Sequence, residues 1–264
     1  MITLPRLRLP RGNEPVKPSR EFMRKGLQGL YFAPTGLMTN LVNRDMSGVW
    51  TAPTTVTVAP WGRYGLGAKL GSASDYGTIP TSATKEYTLL AVVGDADTGG
   101  TQALIDDDDG VTRAYQFRLV GGALQAELIA FNTGGSAFTA ATASLGAAVE
   151  DHGCVVIGRV LGSEVKIWAT GRAPGTATVT GTVQTRNSTA RVGTRKGSSL
   201  PFVGRFHLLA EFGCALPEGD IRRLIDAPQL LFEPVTLPVN GSAVSGFKPA
   251  WIPRRARHIG LGVH

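Results

Sequence analysis

The feature that most constrains this chain is a two-residue hydrophobic period, interrupted at short intervals by glycine. Tyr115, Phe117 and Leu119 alternate with Gln116 and Arg118. After Gly121-Gly122 the rhythm resumes as Leu124, Ala126 and Leu128 against Gln125 and Glu127. Successive side chains of a strand point to opposite faces, so the pattern describes two half-buried strands. A two-glycine loop that can take positive φ joins them as a hairpin. A second hairpin is expected where 154–161 and 164–170 flank Gly162-Ser163.

Further strands are read at 27–32, 54–59, 86–93 and 190–194. Segment 86–93 is apolar almost throughout, as in a strand buried on both faces. In 205–214, Phe206, Leu208, Ala210, Phe212 and Cys214 share one face, with Arg205, His207, Leu209 and Glu211 on the other. About ten to twelve strands indicate a sandwich or barrel. One short C-terminal helix is predicted: Pro217 opens it, Glu218 and Asp220 suit its first turn, Ile221, Leu224 and Ile225 give helical spacing, and Pro228 stops it.

Charge is unevenly placed. Residues 1–25 hold Arg6, Arg8, Arg11, Lys17, Arg20, Arg24 and Lys25 against Glu14 and Glu21, a net of +5. From residue 234 onward Lys248, Arg254, Arg255 and Arg257 face no acid, a net of +4. The whole chain carries +7, so the body between is slightly acidic. Both ends are punctuated by proline, which disfavours helix and central strand. The expected organisation is a basic extended arm over 1–25, a β body over 26–233, and a second basic arm over 234–264. Arg6, Arg8, Arg11, Arg254, Arg255 and Arg257 are the candidate partner-binding residues, suited to an acidic neighbour.

Cys154 and Cys214 are too few for a disulfide framework and read as reduced, core-type thiols. Pro5 and Pro10 interrupt the N-terminus, leaving no secretory apolar stretch. Apolar runs such as 89–93 are too short to span a membrane. Synthesis and folding in a cytoplasm, with no membrane partner, is the expectation.

The order of elements resembles the concanavalin A-like (laminin-G-like) jelly-roll domain of many tailed-phage proteins. The stretches that carry it are Gly26-Leu27-Gln28-Gly29-Leu30-Tyr31-Phe32, the hairpin 115–128, the strand–glycine–strand pair 155–168, and Val192-Gly193 followed by Pro201-Phe202-Val203-Gly204-Arg205-Phe206. The ending carries it further: Phe212, Ala215-Leu216, Ile221 and Leu224 lead to Ala227-Pro228-Gln229-Leu230-Leu231-Phe232-Glu233-Pro234, then a basic tail with Trp251-Ile252-Pro253. The family's Asn-Pro-Trp before the glutamine is here Ala227-Pro228. The resemblance, over roughly 26–255, implies an all-β fold: an antiparallel two-sheet jelly-roll sandwich with one short C-terminal helix and extended terminal arms. It also implies a virion location and a homo-oligomer. Head decoration, head fibre and tail attachment are the positions open to such a protein. Partners would then be other virion proteins and copies of itself.

The sequence contains no recognisable catalytic constellation, and no enzyme is expected. Glucanases on this fold set Glu-x-Asp-x-x-Glu along one strand. Glu127, Glu164 and Glu211 instead stand singly, at positions read as outward and solvated. There is no Gly-x-Ser-x-Gly, Walker loop or dinucleotide fingerprint. No cofactor is expected, with calcium the exception to consider. Asp106–Asp109 place four carboxylates together, and a hard cation suits such a set, so Asp106, Asp107 and Asp109 are the candidate metal ligands. Trp61 and Tyr64, in a Gly/Pro-rich stretch with Trp50 and Tyr76, are the candidate glycan platform. Nucleic acid is not expected as a partner, because the cationic arms carry only Phe22 and Trp251 as stacking aromatics. The leading expectation is a non-enzymatic virion component anchored by its arms. The alternative is a lectin-like module recognising host-surface polysaccharide.

Overall fold

Period-two segments pair as antiparallel neighbours and build two packed sheets. The structure, a computed structural model, describes residues 2–4, 9–10, 16–33, 38–50, 57–60, 64–72, 74–97, 99–108, 112–121, 124–133, 137–145, 153–195 and 200–237. In chain order the strands are β1 (Ile2–Leu4), β2 (Leu27–Phe32), β3 (Val49–Trp50), β4 (Thr57–Pro60), β5 (Leu66–Leu70), β6 (Gly77–Pro80), β7 (Tyr87–Gly94), β8 (Thr101–Asp108), β9 (Arg113–Val120), β10 (Gln125–Phe131), β11 (Phe138–Ser144), β12 (Cys154–Leu161), β13 (Glu164–Ala169), β14 (Gly175–Thr178), β15 (Thr189–Val192), β16 (Gly204–Phe212) and β17 (Val235–Leu237). Helices α1 (Arg20–Arg24) and α2 (Glu218–Asp226) lie near the two ends.

One sheet runs β11-β10-β9-β8-β15-β6-β3, the other β14-β13-β12-β7-β16-β5-β4, with β2 beside the second half of β16. Neighbours distant in sequence, such as β8 with β15 and β7 with β16, mark the crossovers of a jelly roll. The all-β, two-sheet expectation holds, and α2 follows Pro217 as predicted. Both predicted hairpins form, with Leu119 opposite Ala126 and Val160 opposite Val165. In the first, positive φ falls on Leu124 (45°). In the second it falls on Gly162 (56°), as the turn chemistry requires.

Two hydrophobic cores result. Between the sheets, Tyr87, Leu89, Ala91 and Val93 of β7 meet Tyr115, Phe117 and Leu119 of β9. On the other face of the same sheet, Leu90 and Val92 of β7 join Val155, Ile157, Leu208, Ala210 and Phe212 under a third layer. That layer consists of Phe22 from α1, Ile221 and Leu224 from α2, and Leu231 and Phe232 after it. Strand β7 is therefore buried on both faces, which explains its unbroken apolar run.

A helix thus stands where an extended arm was expected. The prolines end at residue 18, and Arg20–Arg24 is free to coil once Phe22 has a core to enter. Its ring is fully buried, 6.2 Å from that of Phe212. Burial of such a ring is worth roughly 1.5–3 kcal/mol. Ser19 N–H also donates to Leu231 O (2.7 Å), and Glu233 N–H to Lys17 O (2.9 Å). Charge fastens the two helices to each other: Lys25 bridges Glu21 (2.9 Å) and Asp220 (2.7 Å), and Arg223 reaches Glu21 (2.7 Å).

The alternation predicted along 205–214 is broken by a bulge between Phe206 and Leu208. Phe206 points into the inter-sheet core, whereas Leu208, Ala210 and Phe212 face the helical layer. His207 is the extra residue. Leu209 and Glu211 consequently point between the sheets, not towards solvent.

Along one side the sandwich is closed. Thr139 Oγ1 of β11 donates to Thr178 O of β14 (3.2 Å). Gly175 lies so near that a Cβ there would stand 1.7 Å from Thr142 O.

Candidate functional site

A charged cluster sits between the sheets, where segment 184–188 enters from β14 towards β15. Arg186 is buried there, ion-paired to Glu211 of β16 and 3.9 Å from Asp107 of β8. Its guanidinium lies 5.1 Å from the Tyr87 ring centroid and 5.4 Å from that of Tyr115. One tyrosine comes from each sheet, so cation–π contacts add to the ion pairs. Asn187 fixes the segment: its N–H donates to Asp107 Oδ1 (3.1 Å), and its Nδ2 donates to Asp107 O (3.3 Å) and Thr112 O (3.1 Å).

Burial governs the protonation of this cluster. It pushes Asp107 up to about 7, against the opposing pull of Arg186 and the Asn187 N–H. Glu211 is also raised by burial and drawn back by Arg186. One guanidinium cannot compensate two desolvated carboxylates, so Asp107 takes up a proton near neutral pH. Asp107 is 0% exposed and Glu211 3% exposed, which leaves a substrate no approach to either. The cleft beside Glu211, lined by Gln28, Tyr31, Asn40 and Ser82, has no space wide enough for a water molecule. The cluster acts as a clasp between the sheets.

The solvated reading is corrected for Glu211, whereas Glu127 and Glu164 stay partly exposed. Glu211 is enclosed because its sheet is covered on both faces. Glu127 is half-buried against Arg118 (2.6 Å), and Glu164 pairs with Arg159. His207 is buried too. Its Nδ1–H donates to Leu66 O (3.0 Å), and desolvation lowers it to about 4, so it is neutral at pH 7. Gly67 makes the room: a Cβ there would meet the imidazole at 2.8 Å.

Asp106 and Asp107 are consecutive on β8 and so leave opposite faces of the sheet. Asp107 enters the clasp, and Asp106 lies in register with Arg191 and Gln116. The two carboxylates are not brought to one point, and Asp109 lies outside the described residues. Among the described residues no three His, Cys, Asp or Glu side chains gather as a metal set. Tyr64 is 7% exposed, its ring 5.9 Å from that of His207, so it presents no open face to a sugar. The glycan platform expected there is corrected on that side, and Trp61 is outside the described residues. So are Arg6, Arg8, Arg11, Arg254, Arg255 and Arg257. Cys154 and Cys214 are both free thiols. No helix among the described residues is long and apolar enough to cross a membrane.

One surface aromatic was not anticipated. Phe138, at the start of β11, is 62% exposed and lies 5.8 Å from the nearly buried Phe131, its register partner on β10. The available signal was Gly134-Gly135 between two phenylalanines.

No family model and no curated protein matches the chain. Solved structures do share its fold. Domain 4 of AbnA, a GH43 extracellular arabinanase from Geobacillus stearothermophilus, solved in complex with arabinotriose, is 18% identical with a TM-score of 0.57. The match covers 80% of this chain and 100% of that one. The binding domain of Paraclostridial Mosquitocidal Protein 1 is 12% identical (TM-score 0.59), matched over 78% of this chain and 53% of its own. The binding domain of Botulinum Neurotoxin DC, in complex with SialylT, is 11% identical (TM-score 0.51), over 66% and 44%. The chain spans about half the length of these toxin binding domains. The likeness supports the jelly-roll fold.

Proposed function

We propose that this chain is a non-catalytic carbohydrate-binding module built on a jelly-roll sandwich. The observation that carries the reading is its match to the whole of a single domain solved with arabinotriose bound. The two other neighbours are binding domains by name, one of them in complex with SialylT. The interior supports a binding role over a catalytic one. Its carboxylates, Asp107 and Glu211, are engaged by Arg186 out of reach of substrate, whereas a glycosidase needs two carboxyl groups flanking an accessible bond. Electrophoresis through gels containing polysaccharide, paired with an assay for released reducing ends, tests the reading. Retardation without release is expected; release of sugar, or free migration through every polysaccharide, would overturn it.

A second reading, a phage-particle component held by its ends, is favoured by one observation. β1 pairs with β17, Ile2 opposite Leu237, so the two ends of the described chain lie side by side. Co-sedimentation with assembled particles at a fixed copy number would support it, and its absence from purified particles would remove it.

A further inference from the structure

We infer that the outer face where β10 ends and β11 begins is a binding subsite for one ring of a neutral sugar, with Phe138 as its stacking platform. The inference rests on the carbohydrate-binding reading and gives it a location. Among the aromatic side chains the structure describes, Phe138 alone is exposed, at 62%. Large apolar groups gain by leaving water, and a ring held on a strand loses little freedom when a ligand covers it.

Phe138 is held in place from one side. Its partner Phe131 is 5% exposed, and the rings are tilted 51° to each other at 5.8 Å, which fixes the platform against the sheet. On the far side of Phe131 runs segment 182–184, whose Gln184 N–H donates to Phe131 O (2.9 Å). Val183 is buried in the inter-sheet core and pairs with Asn132, so strand alternation turns Thr182 and Gln184 outward. Phe138, Phe131 and Gln184 therefore form one row across the outer face. The aromatic lies at one end of the row and a half-buried amide at the other.

The chemistry of the row selects the ligand. An apolar ring offers dispersion contacts to the C–H face of a sugar, and the amide of Gln184 can both donate to and accept from its hydroxyls. Thr133, Thr182 and Gln184 are all uncharged, so none of them favours a carboxylated or sulfated sugar. A protein partner fits less well. A stable interface needs on the order of 1,200–2,000 Å² with an apolar centre, and one isolated ring supplies only a small part of that.

The test uses the full chain and two variants, Phe138→Ala and Phe138→Trp. Each is run through gels containing neutral polysaccharides (arabinan, xylan, β-glucan, galactomannan) or an acidic one. The side chain is exposed, so both variants should keep the wild-type Tm. The wild type is expected to be retarded by a neutral polysaccharide. Phe138→Ala should lose at least about ten-fold in affinity, equivalent to about 1.4 kcal/mol. Phe138→Trp should retain binding and change its fluorescence on titration with the retarding glycan. Retardation of wild type and Phe138→Ala alike, or by the acidic polysaccharide only, overturns this subsite and leaves the carbohydrate-binding reading standing. Free migration of the wild type through every gel overturns both.

Discussion

Arg186 and Glu211 form an ion pair wholly inside the sandwich, joining the segment before β15 to β16. The arrangement is costly to break, because removing one partner strands the other's charge away from water. Arg186→Met should lower unfolding free energy by about 3–5 kcal/mol at pH 7 in urea titration. The loss should shrink at pH 4, where Asp107 and Glu211 can protonate. A loss below about 1 kcal/mol at pH 7 would mean that the clasp contributes little.

Asp107 and His207 should pull stability in opposite directions with pH. Asp107 is raised from 3.8 to about 7, so the folded state holds its proton more tightly, and stability falls as pH rises through that window. His207 is lowered from 6.5 to about 4, so the unfolded state takes up the proton first, and stability falls as pH drops from 6.5 towards 4. Each slope is at most about 1.4 kcal/mol per pH unit. The two offset each other between about pH 4 and 6.5, and a flat wild-type profile is expected there from this pair. Asp107→Asn should expose the acid-side loss, and His207→Gln the opposite slope, in chemical denaturation across pH. Parallel profiles for both variants would refute the assignment.

Alternation in the sequence located both hairpins, helical spacing after Pro217 located α2, and a nearly continuous apolar run located the doubly buried β7. Alternation cannot say which face meets water when a sheet is covered on both sides. Glu211 was misread for that reason, and the bulge at His207 then exchanged the faces along β16. Arg186 lies in an irregular segment with no period to read, and its partners come from two sheets distant in sequence. Phe138 lies in a strand that no alternation marks, and its exposure depends on what the fold leaves uncovered.

Phe22→Ala tests whether α1 belongs to the body. Removing a ring buried against Phe212 should cost about 3–5 kcal/mol in the same titration. A cost within about 0.5 kcal/mol, as for a surface position, would show α1 to be dispensable.

Two glycines should respond differently to alanine. At Gly175 a Cβ would meet backbone, Thr142 O at 1.7 Å, so the closed edge must open. A loss of about 1–3 kcal/mol or more is expected. At Gly162 there is open space but φ is +56°, and the cost should be about 1–2 kcal/mol from backbone strain alone. Crosslinking between cysteines placed at Thr139 and Thr178 separates the cases. It should weaken in Gly175→Ala and persist in Gly162→Ala.

The pairing of β1 with β17 also has a mechanical consequence. Ile2 and Leu237 form the outer rung, so tension drawn through both ends would peel a three-residue ladder from its open side, one rung at a time. Such a ladder yields at low force, like a zip. The stiff sandwich behind it would feel the load only after this short fuse had opened.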